Sequence, residues 1–254
     1  MPPLDLTRFI AAEITARRDL TADLWTFRVR PAEPLRFIPG QYVALGLPAA
    51  GRMLERPYSI CSAPHEPELE FFVELVPDGV LTPLLYALRP GAPIYLRRAA
   101  KGRFVFDRES RNPNHLMIAS VTGVAPYVSI VRDLARQPAA PPRILILHSA
   151  STPVELGFSE ELEASARRFP WLDYVRTVSR PWLFPDWSGE RGRVEDIVRK
   201  YADTAGFDPR STTVYACGHP QMIRNIQAVM ERAAFPRNNL REEMFWPPGH
   251  PLAA

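Results

Sequence analysis

Four consecutive residues, Arg56, Pro57, Tyr58 and Ser59, stand in a segment that otherwise reads as a β-strand. Side chains alternate between the two faces of a strand, so Arg56 and Tyr58 share one face and Ser59 points to the other. A guanidinium fork suits a phosphate or carboxylate, and a tyrosine ring suits a flat ligand. The segment therefore predicts either a ligand site or a polar sheet edge.

Two short glycine-containing segments each follow an apolar run. In "SVTGVAP", which begins at Ser120, small residues would let a phosphate approach the backbone at the start of a helix. In "YACGHP", Cys217 and Gly218 end another apolar run. A purely structural turn is the alternative for the first segment, and a buried cysteine before a tight turn is the alternative for the second.

Arginines and potential metal ligands complete the set of reactive side chains. Arg180, Arg191 and Arg193 lie near the ends of neighbouring predicted elements and predict either a phosphate site or a solvated surface. The two cysteines and five histidines are scattered without the spacing of a zinc or iron–sulfur site. No metal is expected.

Short strands separated by turns dominate the chain up to residue 107 and predict a small antiparallel barrel. One helix interrupts the strands, with Thr82 as its N-cap, Pro83 at its first position and Gly91 after its end. The predicted strands lie in "AEITARRDLTADLWTFRVRP", "FIPGQYVALGLP", "RPYSICSAP", "LEFFVELVPDG", "PIYLRRA" and "GRFVF".

From residue 108 onwards, apolar strands alternate with amphipathic helices. This alternation predicts a doubly wound α/β domain with a parallel sheet, which binds ligands outside the carboxyl ends of its strands. The domains are therefore predicted at 1–107 and 108–254.

The composition sets broad limits on function. The chain has 254 residues, a net charge of +3 and 46% hydrophobic residues, which suits two modest domains. Lysine occurs at two positions, so arginine supplies nearly all the positive charge. A balance this small does not indicate nucleic-acid binding. Because neither a secretory signal nor a long apolar span is visible, we expect a soluble, cytoplasmic chain without a membrane partner. We also expect a monomer.

The segments "RPYS", "PDGVLT", "TGVAP" and "CGHP" occur in this order along a barrel followed by a doubly wound domain. This combination resembles the ferredoxin–NADP reductase family, and most of all its bacterial ferredoxin/flavodoxin reductases, from Phe9 to Trp246. The resemblance implies FAD in the first domain and NADP in the second.

On the FAD side, the resemblance implies that Arg56 holds the pyrophosphate, that Tyr58 packs on the flavin, and that Ser59 offers its hydroxyl near flavin N5. The turn into the helix would direct backbone N–H groups and the Thr82 hydroxyl at the same pyrophosphate. The implied FAD site comprises Arg56, Pro57, Tyr58, Ser59, Gly79, Val80, Leu81 and Thr82.

On the NADP side, the resemblance implies that Thr122 and Gly123 receive the pyrophosphate and that Cys217 and Gly218 border the nicotinamide. A hydride transfer requires no thiolate, so the Cys217 thiol would act by packing. Arg180 and Arg193 would bind the 2′-phosphate through charge-assisted hydrogen bonds.

Near the C-terminus, Glu243 would relay a proton to the flavin, and Phe245 or Trp246 would cover it; a last strand packing its aromatic residues is the alternative. The chain departs from the family at Val121, where glycine is usual, and at Ser151, where bacterial relatives commonly have arginine. A branched Val121 narrows the phosphate loop or shifts it, whereas Ser151 can still donate a hydrogen bond.

The implied function is an FAD enzyme that takes hydride from NADPH and passes single electrons to ferredoxin or flavodoxin. An acidic partner of this kind would be steered by cations near the flavin. Candidate cations are Arg97, Arg98, Lys101 and Arg103. Two alternatives stay open: the reductase component of a multicomponent oxygenase, and a flavin-binding regulatory subunit that does not react with nicotinamide.

Overall fold

A computed structural model of the chain describes residues 5–108, 110–137 and 141–245. Within it the chain forms two compact units. The first runs to Phe106 and includes the segment Val128–Asp133, and the second comprises Asp107–Tyr127 and the described residues from Leu134 to Phe245. The boundary at residue 107 stays a prediction from the sequence.

The first unit contains a six-stranded antiparallel sheet in the order β4-β3-β6-β1-β2-β5. After β4, the N–H of Cys61 donates to the carbonyl of Glu70 in β5 at 2.8 Å, which joins the two edges of the sheet. The strands are β1 (Phe9–Asp19), β2 (Leu24–Pro31), β3 (Tyr42–Ala49), β4 (Arg52–Ser59), β5 (Leu69–Glu74) and β6 (Pro93–Arg97). The predicted antiparallel domain is confirmed.

Local sequence explains the turns of this sheet. Between β3 and β4, Ala50 and Gly51 both have positive φ values, 48° and 74°, the conformation of a tight two-residue hairpin.

The inward faces of the strands enclose a core that includes Trp25, Phe71 and Leu96. Burial of these side chains fixes the register, because a slip by one residue would turn each strand's apolar set to solvent.

The predicted strand in "GRFVF" is wrong. Lys101 forms an isolated bridge with Tyr42, and the following residues belong to no strand. Gly102 has a φ of 117°, which breaks the extended conformation. The alternating apolar pattern reflects instead the burial of Phe104 and Phe106, which are 4% and 6% exposed in an irregular segment.

The second unit contains a six-stranded parallel sheet in the order β10-β9-β8-β7-β11-β12. The chain moves outward from β7 through β8, β9 and β10 and then returns to the other side of β7. The crevice between β7 and β11 is therefore the topological switch point, where doubly wound sheets bind ligands. The strands are β7 (Asn114–Ser120), β8 (Arg143–Ala150), β9 (Leu172–Val178), β10 (Glu190–Arg191), β11 (Thr212–Gly218) and β12 (Leu240–Met244).

Helices connect these strands, as the alternation in the sequence predicts. Two of them bury Val198 and Ile226 in one core with the sheet residues Leu116 and Leu147. The helices of the chain are α1 (Thr82–Ala87), α2 (Ala125–Leu134), α3 (Ser159–Arg168), α4 (Val194–Thr204) and α5 (Pro220–Arg232). None of the helices within the described ranges is long and apolar enough to cross a lipid bilayer.

Candidate functional site

The first group of predicted site residues lies at the end of β4. Arg56 pairs with Leu45 and Tyr58 with Val43 in β3, so both side chains belong to one face of the strand. Arg56 is exposed, and its Nη1 donates to the carbonyl of Glu55 at 2.8 Å. Burial raises the pKa of Tyr58 well above its ordinary value, although the Arg56 charge opposes this shift. At neutral pH this face therefore presents a fixed cation and a neutral aromatic ring.

The other two residues of this group are placed differently. Pro57 lies on the opposite face and is exposed, whereas Ser59 is buried, with 8% of its surface exposed. Proline is tolerated at this edge strand because it removes a backbone donor that need not serve the sheet.

The turn from Gly79 to Thr82 closes on itself ahead of α1. The Thr82 hydroxyl accepts from the N–H of Val76 and donates to the Val76 carbonyl, both at 3.0 Å. A Cβ at Gly79 would lie 2.8 Å from Thr82 Oγ1 and 2.9 Å from the Val76 carbonyl oxygen, so the turn requires glycine. The prediction that Thr82 is the N-cap is wrong: Leu81 holds that position, because Thr82 is inside the helix and its hydroxyl is engaged with Val76.

Arg17 anchors the other end of α1. Its Nη1 donates to the carbonyls of Tyr86 at 2.6 Å and Leu88 at 3.2 Å. Its guanidinium lies 4.9 Å from the ring centroid of Trp25 and 4.8 Å from that of Tyr86. The side chain is 6% exposed, and Asp19 completes its contacts with an ion pair of 2.7 Å. Sequence reasoning missed this residue, although it fixes the helix that follows the Gly79–Thr82 turn.

At the switch point of the second unit, the loop after β7 meets the end of β11. The Oγ of Ser120 accepts from the N–H of His219 at 2.9 Å. A Cβ at Gly123 would lie 2.2 Å from the Cys217 carbonyl oxygen, and a Cβ at Gly218 would lie 2.3 Å from Ser120 Oγ. Both glycines are therefore required for the two backbones to approach this closely. The structure brings together Gly123, Cys217 and Gly218 as the sequence predicts, and it adds Ser120.

Cys217 itself is fully buried. Burial raises the pKa of its thiol well above the ordinary value, and the Glu243 carboxylate raises it further. Glu243 is the register partner of Cys217 across β11 and β12. A thiol in this environment stays protonated and neutral, which excludes it as a nucleophile near neutral pH.

Ser151, Arg180 and Arg193 follow the carboxyl ends of β8, β9 and β10. The N–H of Arg180 donates to the Ser151 carbonyl at 2.9 Å, so these two residues are direct neighbours. The N–H of Arg193 donates to Asp196 at 3.1 Å at the start of α4, and the Arg193 side chain is 68% exposed. Two guanidinium groups and one hydroxyl thus lie at the carboxyl ends of three neighbouring strands.

At the C-terminal end, β12 places Glu243 in the sheet, and the N–H of Phe245 donates to the carbonyl of Gly218 at 3.2 Å. The predicted flavin cover therefore includes one residue tied to the end of β11. Trp246, the other candidate, lies outside the described residues.

Two of the four cations predicted to steer a partner are neutralised by carboxylates. Arg97 forms a two-pronged pair with Glu55, with N–O distances of 2.5 Å and 2.7 Å. Arg98 pairs with Glu33 at 2.8 Å. Lys101 is exposed, as is Arg103.

Among the described side chains, no group of three or more His, Cys, Asp or Glu residues is arranged to hold a metal ion.

Two family models match consecutive parts of the chain. Residues 11–106 match the family model of an oxidoreductase FAD-binding domain, and residues 117–228 match that of an oxidoreductase NAD-binding domain. The first model covers the β4 and Gly79–Thr82 residues, and the second covers the switch-point residues.

Two relatives illustrate the similarity. A flavodoxin/ferredoxin–NADP reductase from Escherichia coli strain K12 is 30% identical over 86% of this chain and 88% of its own length. The reductase component of naphthalene 1,2-dioxygenase/salicylate 5-hydroxylase systems from Ralstonia sp is 28% identical over 95% of this chain and 70% of its own length.

Among solved structures, a ferredoxin NADP+ reductase from Neisseria gonorrhoeae with bound FAD and NADP is similar to this chain with a TM-score of 0.83. It is 25% identical, and the match covers 94% of this chain and all of that one. The identity to the Escherichia coli enzyme, extending over most of both chains, decides the assignment. The chain belongs to the flavodoxin/ferredoxin–NADP reductase family.

Proposed function

We propose that this chain transfers electrons between NADPH and ferredoxin or flavodoxin, with FAD as its bound cofactor. The observation that carries the proposal is the pairing of motif with domain. The Arg56–Ser59 segment lies in the unit that matches an FAD-binding model, and the Gly123–Gly218 junction lies in the unit that matches an NAD-binding model. When bound, FAD accepts two electrons together as a hydride and can release them one at a time.

The residues of the first unit fit a flavin dinucleotide. Arg56 offers an exposed fork for the pyrophosphate, and Tyr58 offers a neutral ring for the flavin and ribityl region. We assign the turn from Gly79 to Thr82 to the same pyrophosphate. The N–H of Gly79 donates to the Val76 carbonyl at 2.9 Å and helps to close this turn. We assign the Ser59 hydroxyl to the flavin N5 region. The Thr82 hydroxyl, engaged with Val76, acts by shaping the turn.

In the second unit, we assign Thr122 and Gly123 to the NADP pyrophosphate and Gly218 to the nicotinamide. Cys217 supports this site as a neutral packing group, because a buried protonated thiol adds no charge where a hydride must pass. Glu243 is assigned to proton relay and Phe245 to covering the flavin, as the family resemblance implies.

The 2′-phosphate of NADP is assigned to Ser151, Arg180 and Arg193. Hydrogen bonds between a guanidinium and a phosphate are charge-assisted, and they are absent with NAD, which has a 2′-hydroxyl. Ser151 supplies a hydroxyl where an arginine is common in relatives, so we expect a preference for NADPH that depends mainly on Arg180 and Arg193.

The test is an anaerobic mixing experiment with the FAD-loaded protein. NADPH should bleach the visible flavin band rapidly, and NADH should do so more slowly. In Arg180→Ala, KM for NADPH should rise about tenfold while KM for NADH is unchanged, since one charge-assisted bond to an exposed phosphate is lost. Arg191→Ala, which removes an exposed arginine from the same sheet edge, serves as the charge control. A flavin that stays oxidised with both nucleotides would support the regulatory-subunit alternative.

A second candidate function is the reductase component of an oxygenase system. It is favoured by the similarity to the Ralstonia sp dioxygenase reductase, of which this chain spans 70%. Both functions share the chemistry of the two cofactors and differ in the electron acceptor. Rates with a purified ferredoxin, a flavodoxin and an oxygenase-associated ferredoxin, each compared with a small dye, separate them.

The proposed setting is a monomer in the cytoplasm. The two buried thiols, Cys61 and Cys217, are compatible with a reducing compartment. Size-exclusion chromatography with light scattering tests the monomer, and fractionation of cells that carry the native chain tests the location.

A further inference from the structure

A buried histidine on β8 holds the loop that follows β7. His148 is fully buried. Its Nε2 lies 3.0 Å from the carbonyl oxygen of Val121, and its Nδ1 lies 2.9 Å from the hydroxyl of Tyr174 on β9. A carbonyl can only accept, so Nε2 must carry the proton, and Nδ1 then accepts from the Tyr174 hydroxyl. Three neighbouring elements are thereby linked through one ring.

The residue that this ring holds has an unfavourable backbone conformation. Val121 has a φ of 45°, in the left-handed region that branched residues rarely adopt. Such a conformation persists only where the surroundings fix it. Here two contacts do so: the hydrogen bond from His148, and the packing of the Val121 side chain against Ala150, Leu156 and Val178.

We propose that His148, oriented by Tyr174, is a positioning residue that keeps the Val121–Val124 loop in its nucleotide-binding conformation and that is needed because residue 121 is valine. The proposal rests on the proposed function in that this loop is assigned to NADP. Burial lowers the pKa of His148 to about 4, so the ring acts as a neutral donor rather than as a charge near the phosphates.

The proposal predicts an energetic coupling between two positions. With valine at 121, losing His148 releases a strained loop, which then populates other conformations. Glycine adopts positive φ without strain, so a Val121→Gly loop should hold its conformation with or without the histidine. The effect of removing the histidine should therefore be large when residue 121 is valine and small when it is glycine.

The experiment uses the FAD-loaded protein as wild type, His148→Phe, Val121→Gly and the double variant. Backbone hydrogen exchange of residues 121–124 is measured without nucleotide, and KM and kcat for NADPH are measured with a small dye. We expect His148→Phe to speed exchange at least tenfold and to raise KM about tenfold, with kcat changed less than twofold. In the Val121→Gly background, the same substitution should change both quantities less than threefold.

Two further variants keep the test decisive. His115→Phe removes a buried histidine from the other end of β7 and should leave loop exchange unchanged. Tyr174→Phe keeps the aromatic ring of residue 174 but removes the hydroxyl that donates to His148 Nδ1, and it should speed loop exchange about threefold. This variant still tests the proposal if His148→Phe does not fold. Equal effects of His148→Phe in the valine and glycine backgrounds, or unchanged exchange in both Tyr174→Phe and His148→Phe, overturn the proposal.

The readouts separate this proposal from the proposed function. Hydrogen exchange in the nucleotide-free protein reports on the contact between His148 and the Val121–Val124 loop, whether or not NADPH reacts. Failure of the wild-type flavin to be reduced would count against the proposed function alone.

Discussion

Replacing Arg17 by methionine should destabilise α1 and weaken FAD binding together. Methionine keeps an apolar stem of similar length but leaves the carbonyls of Tyr86 and Leu88 without their charged donor. It also removes the cation that lies between the rings of Trp25 and Tyr86. Hydrogen bonds to a charged group contribute about 1.5–3 kcal/mol and a shielded cation–π contact about 0.5–2 kcal/mol. The ion pair with Asp19 adds little stability, because the Asp19 carboxylate is exposed to solvent.

Counting one charged hydrogen bond and one cation–π contact, we expect the free energy of unfolding of the Arg17→Met protein to fall by about 2–5 kcal/mol. Because α1 follows directly from the Gly79–Thr82 turn, which we assign to FAD, a loosened α1 should make it costlier to order this turn when FAD binds. The dissociation constant for FAD should rise roughly tenfold, the equivalent of about 1.4 kcal/mol. Urea titrations followed by tryptophan fluorescence measure the stability, and quenching of flavin fluorescence measures the affinity.

Arg18→Met is the matched control, because Arg18 is the exposed neighbour on the same strand. It should change stability by less than about 0.5 kcal/mol. If Arg17→Met lost stability but bound FAD as tightly as the wild type, the link between α1 and the cofactor turn would be refuted. If it unfolded at the wild-type urea concentration, the energetic reasoning itself would be wrong.

Substitutions in the nucleotide loop, at the buried thiol and on the basic surface give three further tests. Gly123→Ala places a methyl group 2.2 Å from the Cys217 carbonyl oxygen. The loop must then shift by roughly 1 Å, and KM for NADPH in steady-state assays should rise tenfold or more. Gly206→Ala is the control: it has open space around it, so it should leave KM unchanged and change only the stability of the protein. Cys217→Ala should retain more than about a tenth of the flavin-reduction rate in stopped-flow mixing, and complete loss would indicate a chemical role for the thiol. Reversing the charges of Lys101 and Arg103 together should slow reduction of ferredoxin about tenfold at low salt and spare a small dye; equal slowing of both would contradict the docking role.

The sequence predicts those features of the fold that depend on short-range pattern. Alternation in "LWTFRVRP" predicts β2, the short apolar run in "LEFFVE" predicts β5, and the strand–helix alternation after residue 108 predicts the parallel sheet. The glycines at 123 and 218 identify the switch point because close backbone approach has few alternatives to glycine. These signals lie within a few residues of the features that they predict.

The features that the sequence does not predict depend on partners far along the chain. The register of β1 against β2 shifts between Ile14 and Ala16, and this irregularity reverses the alternation so that Arg17 turns inward. Strict period-two reading from Ile10 would leave Arg17 in solvent. His148 gave a weaker signal, a polar residue within the apolar run "RILILHSA", but its partners Val121 and Tyr174 become neighbours only through the order of the parallel strands.

Gly218 makes two backbone contacts with different parts of the chain. Its carbonyl accepts the N–H of Phe245, while the α-carbon of the same residue leaves no room for a side chain beside Ser120. One glycine thus fixes both the contact of the Ser120 segment with the end of β11 and the position of the Phe245 backbone. A side chain at position 218 would therefore disturb two contacts at once, the approach of Ser120 and the hydrogen bond from Phe245.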